Sequence, residues 1–585
     1  MHKLNKFQIT ALVFLSFLII GLGVYANSFN NEFFWDDDDS IVNNSYIKSF
    51  KYLPNYFSEN LIAGTGQTTN YWRPVLLISF AFDYQLFNLN PAGFHVHNTV
   101  LHIISACLAF LLLYKLTKKS FILSFLPSLF FLIHPLQTEA ITYVAGRADP
   151  LSTVFSLSTL ILYLCLREKK SIKYLLFSLL AFLLGLMTKE QVILLPLLVA
   201  LIELFIFFSK KNWKQSLKYL TPFFLISIIY FILRITILNF NDILAGPEYL
   251  DSYSSSLGVR LLTFTWVINK YFSLLFAPFN LHMAYEVDPV TSLFSWPVLI
   301  FLTLMALIIF VSLKVWKNST KLGSLVAFGF LWFFIILLPR TNIIKINRPM
   351  YEHWLYLPML GFFLALTALT ILLLKKVKKE AYKKIIHYIL IAVIIIFSIY
   401  LSYLTINRNK DWKNPITFYE KNLNYTPESF IQRNNLGMAY AEKNRHEEAI
   451  KEYQRAIAIS DTYPQVHYNL GNSLVALNKI NEAKKEYFKA IEISPAFVLP
   501  YQNLFSIYLK NDQKKETLSL LEKLQENTNQ STYNSIAWKI FLHFKDYKSA
   551  INSLETLNKI YPNNLELNNL LLQLKLEASS VNKVN

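Results

Sequence analysis

Eleven apolar runs follow one another between Ile9 and Leu404, and each is long enough, alone or with its flanks, to cross a bilayer. They cover Ile9 to Tyr25, Val96 to Leu113, Phe121 to Ile133, Leu151 to Leu166, Tyr174 to Met187, Val192 to Phe208, Leu220 to Leu238, Trp296 to Val315, Leu322 to Leu338, Leu355 to Leu374 and Ile385 to Leu404. In lipid the backbone must satisfy its own hydrogen bonds, so these runs fold as helices. Composition agrees: 54% of the 585 residues are hydrophobic and 16% are charged, against about 25% charged in water-soluble domains. The first run follows a basic start, Met1 to Lys6, and is longer than a usual signal-peptide core. It reads as an uncleaved helix with a cytoplasmic N-terminus.

The net charge of +18 sits mainly in short clusters beside apolar runs, a distribution that argues against nucleic-acid binding. Counted from a cytoplasmic start, five clusters fall inside: Lys115, Lys118 and Lys119; Arg167, Lys169 and Lys170; Lys210, Lys211 and Lys214; Lys314, Lys317 and Lys321; and Lys375, Lys376, Lys378 and Lys379. This count reads Leu261 to Ala277, interrupted by Asn269 and Lys270, as a re-entrant or interfacial helix within an outer loop from Asn239 to Ser295. It places the C-terminal region outside the cytoplasm. Cys107 and Cys165 both lie in apolar runs, so no disulfide framework and no Cys-ligated metal site can be assembled.

From about Asp411 the chain turns polar, so a membrane domain is expected over 1–410 and a second domain over 411–585. Between 428 and 564 the second domain repeats with a period of 34 residues. Asn435-Leu436-Gly437 recurs as Asn469-Leu470-Gly471 and Asn503-Leu504-Phe505, and Ala449, Tyr453 and Ala456 recur as Ala483, Tyr487 and Ala490. Period, small residues and aromatics match tetratricopeptide repeats, four in number, with the last two degenerate. Such a solenoid offers a concave surface to a protein or peptide partner; the plainer alternative is a cap or a dimerisation element.

Charged residues concentrate in four places on the expected outer side. Phe33-Phe34-Trp35-Asp36-Asp37-Asp38-Asp39 puts four carboxylates beside aromatics, a pattern that suits a general base or a metal site and equally a solvated acidic turn. The stretch from His134 to Asp149 holds His134, Glu139, Arg147 and Asp149, although its His-Pro pair also reads as a helix terminator and Arg147 with Asp149 as an ion pair. Lys189 and Glu190 occupy a short turn, where a snorkelling pair is the bland reading. The loop from Arg340 to Trp354 holds Arg340, Lys345, Arg348, Tyr351, Glu352 and His353; cations there run against the positive-inside trend and suit a lipid phosphate. A carboxylate base and phosphate-binding cations on one face fit transfer of a group from a lipid-phosphate carrier.

The stretches FFWDDDDSIVNN, YWRPVLLISFAFDYQLFNLNPAGFHVHNTVLH from Tyr71, HPLQTEAITYVAGRAD and RPMYEHWLYLPMLGF from Arg348 together resemble the transmembrane and tetratricopeptide repeat-containing proteins, in the same order along nearly the whole chain. This family looks related to protein O-mannosyltransferases. The resemblance implies an all-α, polytopic GT-C fold of eleven transmembrane helices plus a tetratricopeptide α-solenoid. It also implies inverting transfer of a hexose, typically mannose, from a polyprenyl-phosphate donor to Ser or Thr of extracytoplasmic proteins. Mapped onto this chain, the catalytic residues are Asp36, Asp37 and Glu139. Donor-phosphate or substrate binding maps to Arg147, Asp149, Lys189, Glu190, Glu352 and His353, and Arg73, His134, Arg340 and Arg348 join them as candidates from the charge pattern and the quoted stretches. Relatives usually carry Arg after the Glu-His pair, where this chain has Trp354, so a phosphate contact expected there must come from Arg348, Arg340 or Lys345, or be absent. The extra acids leave the register of the Asp pair open by one position. No cofactor is required, although Asp38 and Asp39 leave room for a divalent metal. Few Gly with many Lys, Ile and Asn point to a bacterial cytoplasmic membrane. A non-catalytic scaffold recruiting proteins through its repeats is the alternative, but an anchor needs only one helix.

Overall fold

The computed structural model describes residues 6–207, 213–240, 256–283, 285, 287–317, 321–344, 346 and 348–584. The chain before residue 6, Phe208 at the end of the sixth run, Lys210 and Lys211 of the third cationic cluster, part of the loop 239–295, and Lys345 lie outside these residues. Among the described residues every regular element is a helix. The chain divides into two compact units, 1–421 and 422–585.

In the first unit nine described helices are long and apolar enough to cross a membrane: Phe7–Ser28, Pro91–Leu116, Val144–Lys169, Glu190–Phe207, Trp213–Ile235, Trp296–Val315, Lys321–Thr341, Pro358–Lys376 and Glu380–Asp411. They fall on nine of the eleven apolar runs, and the unit is a multi-pass membrane protein. The third run makes a tenth span only as a bent pair, Phe121–Ile133 and Pro135–Ile141, which meet at 57°. Pro135 causes the break, because its ring pushes the preceding residue out of the helical region and His134 is extended (φ −76°, ψ 131°). The fifth run is a helix of 15 residues, Ile172–Leu186. At 1.5 Å per residue it reaches roughly 22 Å, short of the hydrocarbon core. The segment from Leu261 lies in a helix, Leu257–Phe276, that is not among the nine.

Close helix packing depends on small residues and buried polar staples. Lys321–Leu337 and Pro358–Lys376 cross where Gly329 faces Gly361, and a Cβ on Gly361 would sit 2.6 Å from the Gly329 carbonyl oxygen. His102 bonds the Tyr356 hydroxyl (2.6 Å) and the Leu132 carbonyl (3.0 Å). The last helix is fastened at the bend and to the first helix, since the Thr405 hydroxyl donates to the Ile133 carbonyl (2.7 Å) and the Asn409 amide to the Val24 carbonyl (2.9 Å).

The first loop is a small folded layer. Short turns and the helices Leu53–Ser58 and Pro74–Phe87 close over a core of their own that includes Ile41, Ile47, Tyr56, Leu61, Leu77 and Phe80. This layer fixes the position of the Asp run.

The second unit forms four antiparallel helix pairs, Phe430–Glu442 with His446–Ile459, Pro464–Ala476 with Ile480–Ile493, Val498–Lys510 with Lys514–Asn527, and Gln530–His543 with Tyr547–Ile560, followed by Leu565–Val584. In the first two pairs Gly437 and Gly471 lie under the rings of Tyr453 and Tyr487, where a Cβ would come within 2.5 Å of a ring carbon. The third pair exchanges the sizes, with Phe505 and Leu521 both buried. Its apparent degeneracy is a swap of bulk between facing positions, which keeps the helices packed.

Candidate active site

Trp35 adopts a left-handed backbone (φ 61°), rare for a bulky residue, and its ring stacks on Tyr143 at 5.2 Å. The turn splits the two acids that follow. Asp37 is buried, and its carboxylate accepts from the Ala145 N–H (2.7 Å) and the Phe34 N–H (3.3 Å). Gly146 makes the first contact possible, because a side chain there would press on the Glu139 carbonyl at 2.7 Å and stop the turn from folding back. Burial pushes the Asp37 carboxyl well up, against those two donors.

Asp36 is open to solvent by surface area, yet desolvation by the surrounding protein is the largest influence on its carboxyl and raises it to about 6. Protein atoms crowd round the carboxyl while part of its surface stays open. Its N–H donates to the Tyr143 hydroxyl (3.1 Å), which also bonds its side chain. Asp38 and Asp39 are half-buried. Among the described residues, no three His, Cys, Asp or Glu side chains gather as a metal site would require.

The cations gather in the same neighbourhood as Asp36. Arg73 grips Glu190 with Nε (3.2 and 3.3 Å) and Nη2 (2.9 Å), and its charge reaches Asp36, Lys189 and His353. Lys189 Nζ meets Asp149 at 2.5 Å; burial lowers the amine to about 8. The Gln191 amide carbonyl accepts from Arg340 Nη2 (3.1 Å), and the Arg340 guanidinium lies 4.4 Å from the centre of the Trp354 ring.

A second layer holds the late loop. Glu139 accepts from the His353 N–H (2.9 Å) and meets His353 Nδ1 (2.9 Å). Burial lowers His353 to about 3, so its imidazole is neutral and Nδ1–H donates to the carboxylate. Glu352 accepts from the Tyr285 hydroxyl (2.9 Å) and pairs with Arg408 (3.5 Å), which also meets Asp411 (3.1 Å); burial raises the Glu352 carboxyl.

Asp36, Arg73, Asp149, Lys189, Glu190, Arg340 and His353 are therefore brought together, with Glu139 and Glu352 behind them. Two expected binding residues lie elsewhere. Arg147 is fully buried, paired with Asp83 (2.5 Å) and bonded to the Asn98 side chain (2.6 Å) and the Phe94 carbonyl (3.2 Å), so its donors serve the helix pair beneath the first loop. His134 is buried at the bend against the Leu275 carbonyl (3.3 Å), where it ends the helix. Arg348 is half-buried near Tyr351.

Residues 94–235 match the family profile of dolichyl-phosphate-mannose-protein mannosyltransferases, and residues 437–477 and 464–497 match tetratricopeptide repeat profiles. A protein O-mannosyl-transferase of Caenorhabditis elegans is 28% identical over 470 residues, 77% of this chain and 63% of the relative. Relatives so named in Homo sapiens (26% over 526 residues, 75% and 61%) and Drosophila melanogaster (24% over 539 residues, 80% and 57%) are similar along the same stretch. The chain matches the transmembrane and tetratricopeptide repeat-containing proteins. It spans about three-fifths of the length of these curated relatives.

Within that family frame, sequence reasoning passed over Arg408, Tyr285, Tyr143, Gln191 and Asp83. Arg408 carried a usable signal, a cation on the expected outer end of an apolar run, the same argument that singled out Arg340. Tyr143, Tyr285 and Gln191 are neutral, and only the fold brings them to the site. Asp83 sits in Pro74–Phe87, a helix of the first loop that is apolar but too short to cross the bilayer, so it falls outside the count of membrane runs.

Proposed function

We propose that the chain is a membrane glycosyltransferase that moves a hexose, mannose in the first instance, from a polyprenyl-phosphate carrier to Ser or Thr hydroxyls of extracytoplasmic proteins. The observation that carries this reading is the gathering, in one neighbourhood, of an open carboxylate raised towards neutrality with Arg73, Lys189 and Arg340. Asp36 takes the proton of the acceptor hydroxyl as its oxygen bonds the anomeric carbon. The bond from that carbon to the phosphate oxygen breaks, the phosphate leaves with the electron pair, and the cations stabilise its charge. Attack opposite the leaving group inverts the anomeric centre. Asp37 and Glu139 hold Asp36 and His353 in place. The reaction needs no metal in this reading, since cations face the leaving group. The similarity to relatives named protein O-mannosyl-transferases supports it, as does the profile match over residues 94–235.

The same reading sets the N-terminus in the cytoplasm of a bacterium, the site and repeats on the far side of its cytoplasmic membrane, and the repeats as the binding surface for acceptor or partner protein. The cationic clusters support that orientation. Sugar transfer from a polyprenyl-phosphate mannose donor, in membranes carrying wild type, Asp36→Asn or Asp37→Asn at equal expression, tests it. Asp36→Asn is expected to abolish transfer. Activity retained in that variant removes the base, and no transfer by any of the proteins with several sugar donors favours a scaffold.

A further inference from the structure

Most cations of the candidate site already have a carboxylate. Arg73 has Glu190 at 2.9 Å, Lys189 has Asp149 at 2.5 Å, and Arg408 has Glu352 at 3.5 Å. Arg340 is held differently. Among the described residues no carboxylate forms a salt bridge with it; its partners are the carbonyl of the Gln191 amide and the face of the Trp354 indole. Both are neutral acceptors. They fix a guanidinium in place, one by a hydrogen bond in its plane and one by stacking, without cancelling its charge. Arg340 is half-buried, and the acids whose charges reach it, Asp149 and Glu190, are each already in contact with another cation, Lys189 and Arg73, so an anion would complete it.

The platform beneath it is rigid. Trp354 is buried, its ring flanked edge-on by Tyr351 (5.2 Å, 75°) and His353 (6.2 Å, 82°), and the turn that carries it is clamped by Glu139. Gln191 in turn leans on the Lys189–Asp149 pair, its Nε2 3.4 Å from Asp149 Oδ1. From the proposed transfer reaction, in which Arg340 is one of the cations that meet the donor phosphate and on which this step rests, we infer that Trp354 and Gln191 are positioning residues that aim the Arg340 guanidinium at that phosphate. Trp354 stands where the resemblance leads one to expect arginine. Here the charge arrives from the turn Leu338–Thr341 and is laid on the indole.

The test is lipid binding by the detergent-solubilised full chain, with polyprenyl phosphate as ligand and the uncharged polyprenol of equal length as control. Wild type is expected to prefer the phosphate, and Arg340→Gln to lose the preference. Trp354→Ala weakens phosphate binding by about five- to tenfold, the range set by a half-exposed cation–π contact. It leaves polyprenol binding unchanged, and Trp354→Phe restores most of the loss. Gln191→Leu, which leaves the indole in place, lowers phosphate binding by a smaller factor. Unchanged phosphate affinity in Trp354→Ala and Gln191→Leu, or an equal loss for both lipids, overturns the positioning role while the donor reading stands. A wild type that does not distinguish phosphate from alcohol overturns both.

Discussion

The two central acids share one neighbourhood and differ in what completes them. Asp37 has two backbone donors, whereas Asp36 keeps its carboxylate facing the opening. A base must be deprotonated to act, so with Asp36 raised to about 6, kcat/KM should fall about tenfold per pH unit below that point. Lys189, lowered to about 8, should set a falling limb above it as the amine loses its charge. Transfer measured from pH 5 to 9 is expected to give a bell, and a flat profile across pH 6 would remove Asp36 as the base. Stability moves the other way. Crowding favours the protonated acid, so the folded-state pKa lies above the ordinary 3.8, and stability is lost as pH rises from there through about 6. Asp36→Asn should therefore melt higher than wild type at pH 7 while being inactive. The sequence showed the Asp run and its aromatic flank but not its register. What tells the two acids apart in the fold is the left-handed turn at Trp35 and the Ala145 N–H, which is 108 residues away from Asp37.

At the scale of helices, apolarity and one proline gave most of what was needed. Among the described residues each of the eleven runs is mainly helical, and the His134-Pro135 pair ended the third as its chemistry requires. The folded first loop was not legible, because short turns leave no period and its core mixes tyrosines with aliphatics. Two contacts between elements carry predictions. At the Gly329–Gly361 crossing any side chain meets backbone, so Gly361→Leu should force Lys321–Leu337 and Pro358–Lys376 apart and lower the melting temperature in detergent, whereas Leu373→Ala, on an exposed part of the second helix, should have little effect. Arg147 and Asp83 form a buried pair, and removing one partner leaves an uncompensated charge. Arg147→Ala should cost about 3–5 kcal/mol, and Arg147→Ala with Asp83→Ala together less than Arg147→Ala alone. A single Arg147→Ala that melts like wild type would return Arg147 to the list of substrate contacts.

At the scale of the whole chain, every group given a chemical role lies in residues 1–421, so chemistry and recognition are separable in principle. The repeats supply four helix pairs and a closing helix, enough for a solenoid to stand by neighbour packing. The membrane unit ends in residues that matter to the site: Trp412 is fully buried, stacks on Tyr143 (5.5 Å) and packs on Phe418 (4.6 Å), and the Glu32 N–H donates to the Lys413 carbonyl (2.9 Å). A truncation that respects the base must keep this segment. A chain stopped after Lys421 is therefore expected to retain its preference for polyprenyl phosphate, while one stopped after Asp411 loses Trp412 and with it the support of Tyr143 and Asp36. If the repeats serve to hold the acceptor, they act by raising its local concentration, and their loss should be felt only where concentration is limiting. The chain ending at Lys421 should then transfer sugar to a short Ser/Thr peptide at saturation about as well as wild type, and to dilute full-length acceptor protein at least about tenfold more slowly. Equal losses with both acceptors would mean that the repeats sustain the membrane unit itself, and equal retention would detach them from the transfer reaction.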